Sequence, residues 1–264
     1  MSWTLRREEV LDGDQLRAML QNNPASAAKA IFIAAQAGIV DGQALLGQIL
    51  LDGTGIQRDL SLALTWFQIA ARNGHAMASN MAGRCHEHGW GCVANAVKAA
   101  HCYQIAAEAG LDWGLYNFAN LLATGRGIGV DQARALACYR LAAEMGHAKS
   151  MNLLGRYLEQ GLVCAQDLPA AHKWYRRSAE AGDFRGQFSH ASVLADSGRL
   201  EDAVSWLKTA LSIGNLNFLR VSRSRLLESP HKQIRALSLD FHQRAAELGD
   251  EQDRAQLNAL EAVA

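Results

Sequence analysis

The feature that most constrains this 264-residue chain is a recurrence at 36 residues. A glycine closes a helical run at Gly38, Gly74, Gly110, Gly146 and Gly182, and alanine pairs precede the first four at Ala34-Ala35, Ala70-Ala71, Ala106-Ala107 and Ala142-Ala143. A loop glycine recurs at Gly53, Gly89, Gly125 and Gly161, and a polar residue at Asn23, Asp59, Asn95, Asp131 and Asp167. A period of this length marks stacked supersecondary units and overrides chain length as a guide to domain number. With three prolines and few β-branched runs, the units are helical. The expected fold is therefore all-α: one right-handed α-solenoid of stacked helix-turn-helix repeats with a period of 36 residues.

Residues 75 to 110 show the plan. A first helix is predicted from about Ala76 to Glu87, a break at Gly89, the loop Gly89-Trp90-Gly91-Cys92-Val93-Ala94, and a cap at Asn95. The second helix carries Ala99, Cys102, Tyr103, Ala106 and Ala107, the i, i+3, i+4, i+7, i+8 spacing of one buried face. The paired alanines allow close helix approach, and an aromatic column (Trp66-Phe67, Tyr103, Tyr139, Trp174-Tyr175) fills the space between units. One helix pair could not bury such a face alone.

The pattern divides the chain. Residues 1–22 are charged and read as an N-terminal capping segment, and the first regular helix starts at Asn23-Pro24, an N-cap followed by proline at the first helical position. Regular repeats run through 23–190. Residues 191–249 are divergent and closer to tetratricopeptide repeats, with Trp206, Ala210 and Gly214 after Ser197-Gly198, then a cap at Ser229-Pro230 and a helix through Phe241 to Gly249. Residues 250–264 read as a C-terminal capping helix.

The double-glycine turns Gly53-Thr54-Gly55, Gly89-Trp90-Gly91 and Gly125-Arg126-Gly127 are each followed, after three intervening residues, by Asp or Asn, then by an aromatic residue, Ala-Ala and Gly. This arrangement resembles the bacterial-type Sel-one-like repeat family, a relative of the tetratricopeptide repeats with a longer turn. The resemblance covers roughly residues 23 to 190. It departs from the pattern at Val163, which stands where the second loop glycine would be, and at Leu168-Pro169. It implies a non-catalytic scaffold or adaptor that binds another protein or an extended peptide, without a cofactor.

In related helical-pair repeats the first helix of each unit lines the concave surface. That placement puts Gln48, Arg84, Asn120 and Arg156 in one inward column, Asp41, Met77, Trp113, Lys149 and Arg185 in a second, and Leu45, Met81, Asn117 and Leu153 in a third. The candidate binding set drawn from this face is Met77, Met81, Arg84, Trp113, Asn117, Asn120, Lys149, Asn152 and Arg156. Arginine grips carboxylates bidentately, asparagine bonds peptide groups, and methionine and tryptophan add adaptable apolar contact. The plain alternative is a solvated inner face with no dedicated ligand.

Other function classes find less support. With 26 basic and 26 acidic residues the chain has no net charge, so no bulk field draws nucleic acid or an anionic membrane. The stretch from Met1 to Gln21 is broken by Arg6, Arg7, Glu8, Glu9, Asp12 and Asp14 and does not read as a secretion signal; the apolar run Ala30 to Ala37 is too short to span a bilayer. A cytoplasmic protein is expected, with Cys85, Cys92, Cys102, Cys138 and Cys164 as reduced thiols. Cys85, His86, His88 and Cys92 supply zinc-type donors, but Cys85 and His86 are adjacent on a helix and no second half-site has matching spacing, so metal binding is only an alternative. His75 and His147 recur after the closing glycine and read as turn residues. Ser26-Ala27-Ala28-Lys29 matches S-x-x-K without the partner motifs of penicillin-binding enzymes, so it reads as helix surface. The basic stretch Leu219 to Arg225 reads as a solvated helix face. A structural oligomerisation module is a third reading.

Overall fold

A computed structural model describes residues 13–262. Residues 1–12 of the expected N-terminal cap, and most of the stretch judged for a secretion signal, lie outside the described residues. The described residues form fifteen helices and no strand: α1 Gly13–Asn22, α2 Pro24–Gln36, α3 Val40–Asp52, α4 Leu60–Arg72, α5 Ala76–His88, α6 Ala96–Glu108, α7 Asp112–Thr124, α8 Gln132–Glu144, α9 Ala148–Gln160, α10 Leu168–Glu180, α11 Phe184–Asp196, α12 Leu200–Ile213, α13 Leu216–Leu227, α14 Lys232–Leu248 and α15 Glu251–Glu261. The described residues fall into two compact units, divided after Asp131.

The recurring polar residues cap the second helix of each pair. The side-chain oxygens of Asn23, Asp59, Asn95 and Asp167 accept from the N–H of Ser26, Leu62, Lys98 and Ala170 at 3.3, 2.9, 3.0 and 2.9 Å. Each such cap contributes about 1 kcal/mol. The histidines after the closing glycines cap the first helices: Nδ1 of His75 accepts from Ala78 N–H at 3.0 Å, and Nδ1 of His147 from Ser150 N–H at 3.3 Å. That bond requires an unprotonated Nδ1, so the recurrent histidine is a turn residue, as its position implied.

The first unit builds its core from α2 to α5, with Ile31, Leu46, Leu50, Phe67 and Cys85 buried. Successive helices pack in chain order, and α5 also packs directly on α7. The aromatic column is inside as expected: Phe67 and Tyr103 are each 1 % exposed. Their rings lie flat on glycines of the preceding helix, since a Cβ added at Gly47 or Gly83 would stand 2.7 Å from Phe67 or Tyr103. Each ring buried this way stabilises by about 1.5–3 kcal/mol.

The loop glycines have two different jobs. The first of each pair, such as Gly89 at φ 73°, ends the helix in the left-handed region. The second, Gly91 at φ 74°, lets the loop press on the N-terminus of α4: a Cβ there would be 2.2 Å from the Leu60 carbonyl oxygen. Gly55 meets Pro24, and Gly127 meets Ala96, in the same way. Only glycine can both adopt that conformation and leave that space.

The second unit repeats the plan through α12. Tyr175 replaces Tyr103 and lies on Gly155. Its loop carries Val163 at φ 54°, the one non-glycine with positive φ among the described residues. A β-branched residue in the left-handed region is costly, so this departure from the repeat stores strain. Beyond α11 the core passes to Leu207, Phe218, Leu219, Leu237 and Phe241, with Phe218 receiving Phe184 at 4.9 Å and Phe188 at 5.8 Å between ring centres.

The basic stretch of α13 is only in part a solvated face: Val221, Ser224 and Arg225 are exposed, but two of its arginines are paired with acids. Arg223 is 4 % exposed and its Nη1 lies 2.9 Å from Oδ1 of Asp253, while Arg220 reaches both Asp253 and Asp250. Asp253, fully buried, also completes a capping box with Asp250 at the start of α15. Sequence spacing missed this because the acid partners lie some thirty residues further along, on another helix.

Candidate recognition faces of the two units

In the first unit the candidate face is formed by α5 and α7. Met77 and Trp113 are each 39 % exposed, and Trp113 stands edge-on to Tyr116 at 6.1 Å. Between them Asn117 Nδ2 donates to Asn80 Oδ1 at 2.8 Å, so the two helices are joined by a side-chain amide bond under the exposed ring and thioether. Asn120 is half-buried one turn further along α7. Arg84 lies across the indole of Trp90 at 5.0 Å, with its Nη1 3.8 Å from Met81 Sδ. A cation over an indole at this distance is held by the ring's negative face.

Met81 itself is 7 % exposed and fills the core, so it leaves the open face. Neighbouring Glu87 is committed: it accepts from Tyr103 OH at 2.6 Å and pairs with Arg126. Burial first, then that bond to Glu87, pushes the Tyr103 phenol up.

In the second unit, α9 carries exposed Arg156 and half-buried Lys149, but Asn152 is 3 % exposed and accepts from Ser189 Oγ at 2.9 Å. Asn152 therefore joins α9 to α11, the same job that Asn80 and Asn117 perform in the first unit, and is not available to a ligand. Glu159 accepts from Tyr175 OH at 2.8 Å, repeating the Glu87–Tyr103 bond. Arg185 lies over Phe184 at 4.7 Å and Arg225 over Phe188 at 5.9 Å. The inward columns include Arg185, whereas Arg225 reads in the sequence only as part of a solvated basic stretch, because the ring of Phe188 lies on another helix.

The thiols and imidazoles of the sequence cluster gather at the α5 end. Cys85 is fully buried, and its thiol is pushed up to about 12 by burial first, with Cys92 and Cys102 adding to the shift. Cys92 Sγ is 3.4 Å from His86 Nδ1, whose other nitrogen is 3.4 Å from Gln68 Nε2; burial pulls the His86 pKa down. His88 turns outward against Trp90. Among the described residues no three His, Cys, Asp or Glu side chains are grouped to hold a metal ion, and all five cysteines are free thiols. No helix of the described residues is long and apolar enough to cross a membrane.

Thirteen-residue helices paired through a glycine turn, with rings laid on glycines and amide bonds between first helices, define a helical-pair repeat protein of the α-solenoid class. The Sel1 repeat profile matches residues 40–75, 76–111, 114–147, 148–183 and 235–250, together more than half of the chain. The chain belongs to the Sel1 repeat family.

Solved structures agree. A protective antigen present in uropathogenic Escherichia coli strains, displaying an SLR fold, is 26 % identical with a TM-score of 0.70 over 94 % of this chain. The chain spans 56 % of that protein's length. A Sel1 repeat protein from Oxalobacter formigenes is 23 % identical with a TM-score of 0.72, covering 92 % of this chain and 99 % of the other. An immunity protein from Pseudomonas aeruginosa shares the fold at 14 % identity and a TM-score of 0.51, over 79 % of this chain and 81 % of that one.

Proposed function

We propose that this chain is a non-catalytic scaffold or adaptor whose first-helix faces bind extended segments of another protein in the cytoplasm. The observation that carries this reading is the state of the exposed side chains on α5 and α7. Met77 and Trp113 are exposed above an amide-bonded helix pair, and half-buried Arg84 lies over an indole, an arrangement that suits apolar contact beside a carboxylate. Such preorganisation lowers the ordering cost of binding. Arg156 and Lys149 give the second unit a comparable basic face. Half-buried Asn120 completes the first unit's set as a peptide-bonding group, while Asn117, bonded to Asn80, supports the face from beneath.

The test is capture from cell extract with wild-type protein and an Arg84→Glu/Arg156→Glu variant in parallel, followed by binding of each purified candidate. A protein held by the wild type and lost by a variant of unchanged helicity supports the reading. Identical binding by both moves recognition off these faces.

A further inference from the structure

The second unit contains a hollow that the repeat pattern did not announce. The first half of the α11–α13 contact is filled by Phe184, Phe188 and Phe218. Further along α11 the side chains shrink to Ala191, Ser192 and Ala195, and a cavity of about 180 Å³ opens towards α13. Its floor is apolar and buried, with Ala191, Leu207, Leu226 and Ile234, whereas its rim, with Ser192 and Arg225, is exposed. The turn at Ser229-Pro230 that closes one side is pinned from outside, since Arg235 Nη1 donates to both carbonyl oxygens at 2.8 Å.

Two properties select the occupant. An apolar hollow of roughly 150 Å³ admits a benzene-sized group, so this one accepts a single apolar side chain and not a drug-sized ligand. Charge at the rim is also segregated. Arg225 lies over Phe188, while Asp196 is eight residues further along α11, a rise of about 12 Å from Phe188.

We propose that this hollow is an anchor site for an acidic peptide, taking one phenyl-sized side chain onto the Ala191–Leu226–Ile234 floor while a neighbouring carboxylate pairs with Arg225. The site rests on the scaffold reading above and names the chemistry of its ligand for the second unit: acidic residues flanking one aromatic residue, in extended conformation. Arg225 is preorganised on Phe188, so the bidentate pair forms with little further ordering.

The probe is the synthetic peptide acetyl-Asp-Glu-Phe-Asp-Glu-amide, titrated into the full chain and followed by amide NMR shifts, beside versions with Ala for Phe and with Lys for every acid. The parent peptide is expected to bind at least tenfold more tightly than either control, with shifts centred on Ala191, Leu226 and Ile234. Ser192→Trp, which plugs the mouth, and Arg225→Glu, which reverses the rim charge, are both at exposed positions, and each is expected to weaken binding at least tenfold. Equal binding of the three peptides, or binding indifferent to both variants, overturns the proposal. If the parent binding is instead lost in Arg156→Glu alone, the hollow is refuted while the general reading of the first-helix faces survives. Failure of the parent peptide to bind at millimolar concentration also overturns the anchor site, the general reading being judged separately by partner capture. Sedimentation supplies the remaining outcome: a wild-type dimer dissolved by Ser192→Trp assigns the hollow to a second copy of this chain and refutes the peptide.

Discussion

Asn117 donates its side-chain N–H to Asn80 at 2.8 Å, and Asn80 is only 3 % exposed. The bond ties neighbouring repeats through their first helices, beneath the proposed contact residues. Asn117→Ala leaves the buried Asn80 oxygen without its donor and is expected to cost about 1–3 kcal/mol. Adding Asn80→Leu should recover part of that loss. Urea midpoints of the two single variants and the double variant measure the coupling, and simple additivity would show that the amide pair does not join the repeats energetically.

The ion cluster on α15 should govern acid stability. Hydrogen bonds from Arg220 hold the Asp253 carboxyl at about 2, against the opposing effect of burial. The unfolded chain, with this group near 3.9, binds the extra proton first, so the cluster's contribution is complete above about pH 4 and falls away as pH drops towards 2. Asp253→Asn is expected to cost about 3–5 kcal/mol at neutral pH by leaving Arg223 buried without its partner. Thermal unfolding across pH 2 to 7 should show a shallower acid slope in that variant than in wild type.

Loop glycines offer a graded test. Gly89→Val meets only the left-handed backbone penalty and a 3.3 Å neighbour, whereas Gly91→Val adds a Cβ 2.2 Å from the Leu60 carbonyl oxygen. The first should cost about 1–2 kcal/mol, and the second clearly more. Val163→Gly runs the other way and should stabilise by about 1 kcal/mol, strain relief exceeding the added chain entropy. Calorimetric melting of the three variants gives the order directly.

Thiol labelling should separate the cysteines. Half-buried Cys92 and Cys164 are expected to react first with an aromatic disulfide reagent at pH 8, and buried Cys85, pushed up to about 12, only on unfolding. Peptide mapping after partial labelling reads the order. Early modification of Cys85 would contradict its packing.

Much of this architecture is legible without coordinates because each repeat poses the same local problem and solves it with the same residue type. Asp59, Asn95 and Gly91 can be assigned from spacing alone, since a cap or a left-handed turn depends on a few bonds within one loop. The face residues are harder. Met81 is buried in the core where its repeat equivalents Leu45, Asn117 and Leu153 are half-buried, and Asn152 is closed off by its bond to Ser189 of the next first helix. Arg220 and Arg223 look free until α15 delivers Asp253. The hollow near Ser192 depends on small residues of α11 meeting a turn almost forty positions away. A drop in side-chain size after Phe184 and Phe188 was its one sequence signal.

The contact of each second loop glycine with the helix start before it links positions 55 and 24, 91 and 60, 127 and 96, always 31 apart. Asn80 and Asn117, like Asn152 and Ser189, add a second fixed interval of 37. Two unequal intervals counted from different starting points behave like a vernier. A chain built this way can gain or lose whole repeats and still close every junction, but a single added residue inside a helix puts both scales out of step at once. Its length is quantised, and Val163, where glycine has been given up, marks the junction at which that rule is already being bent.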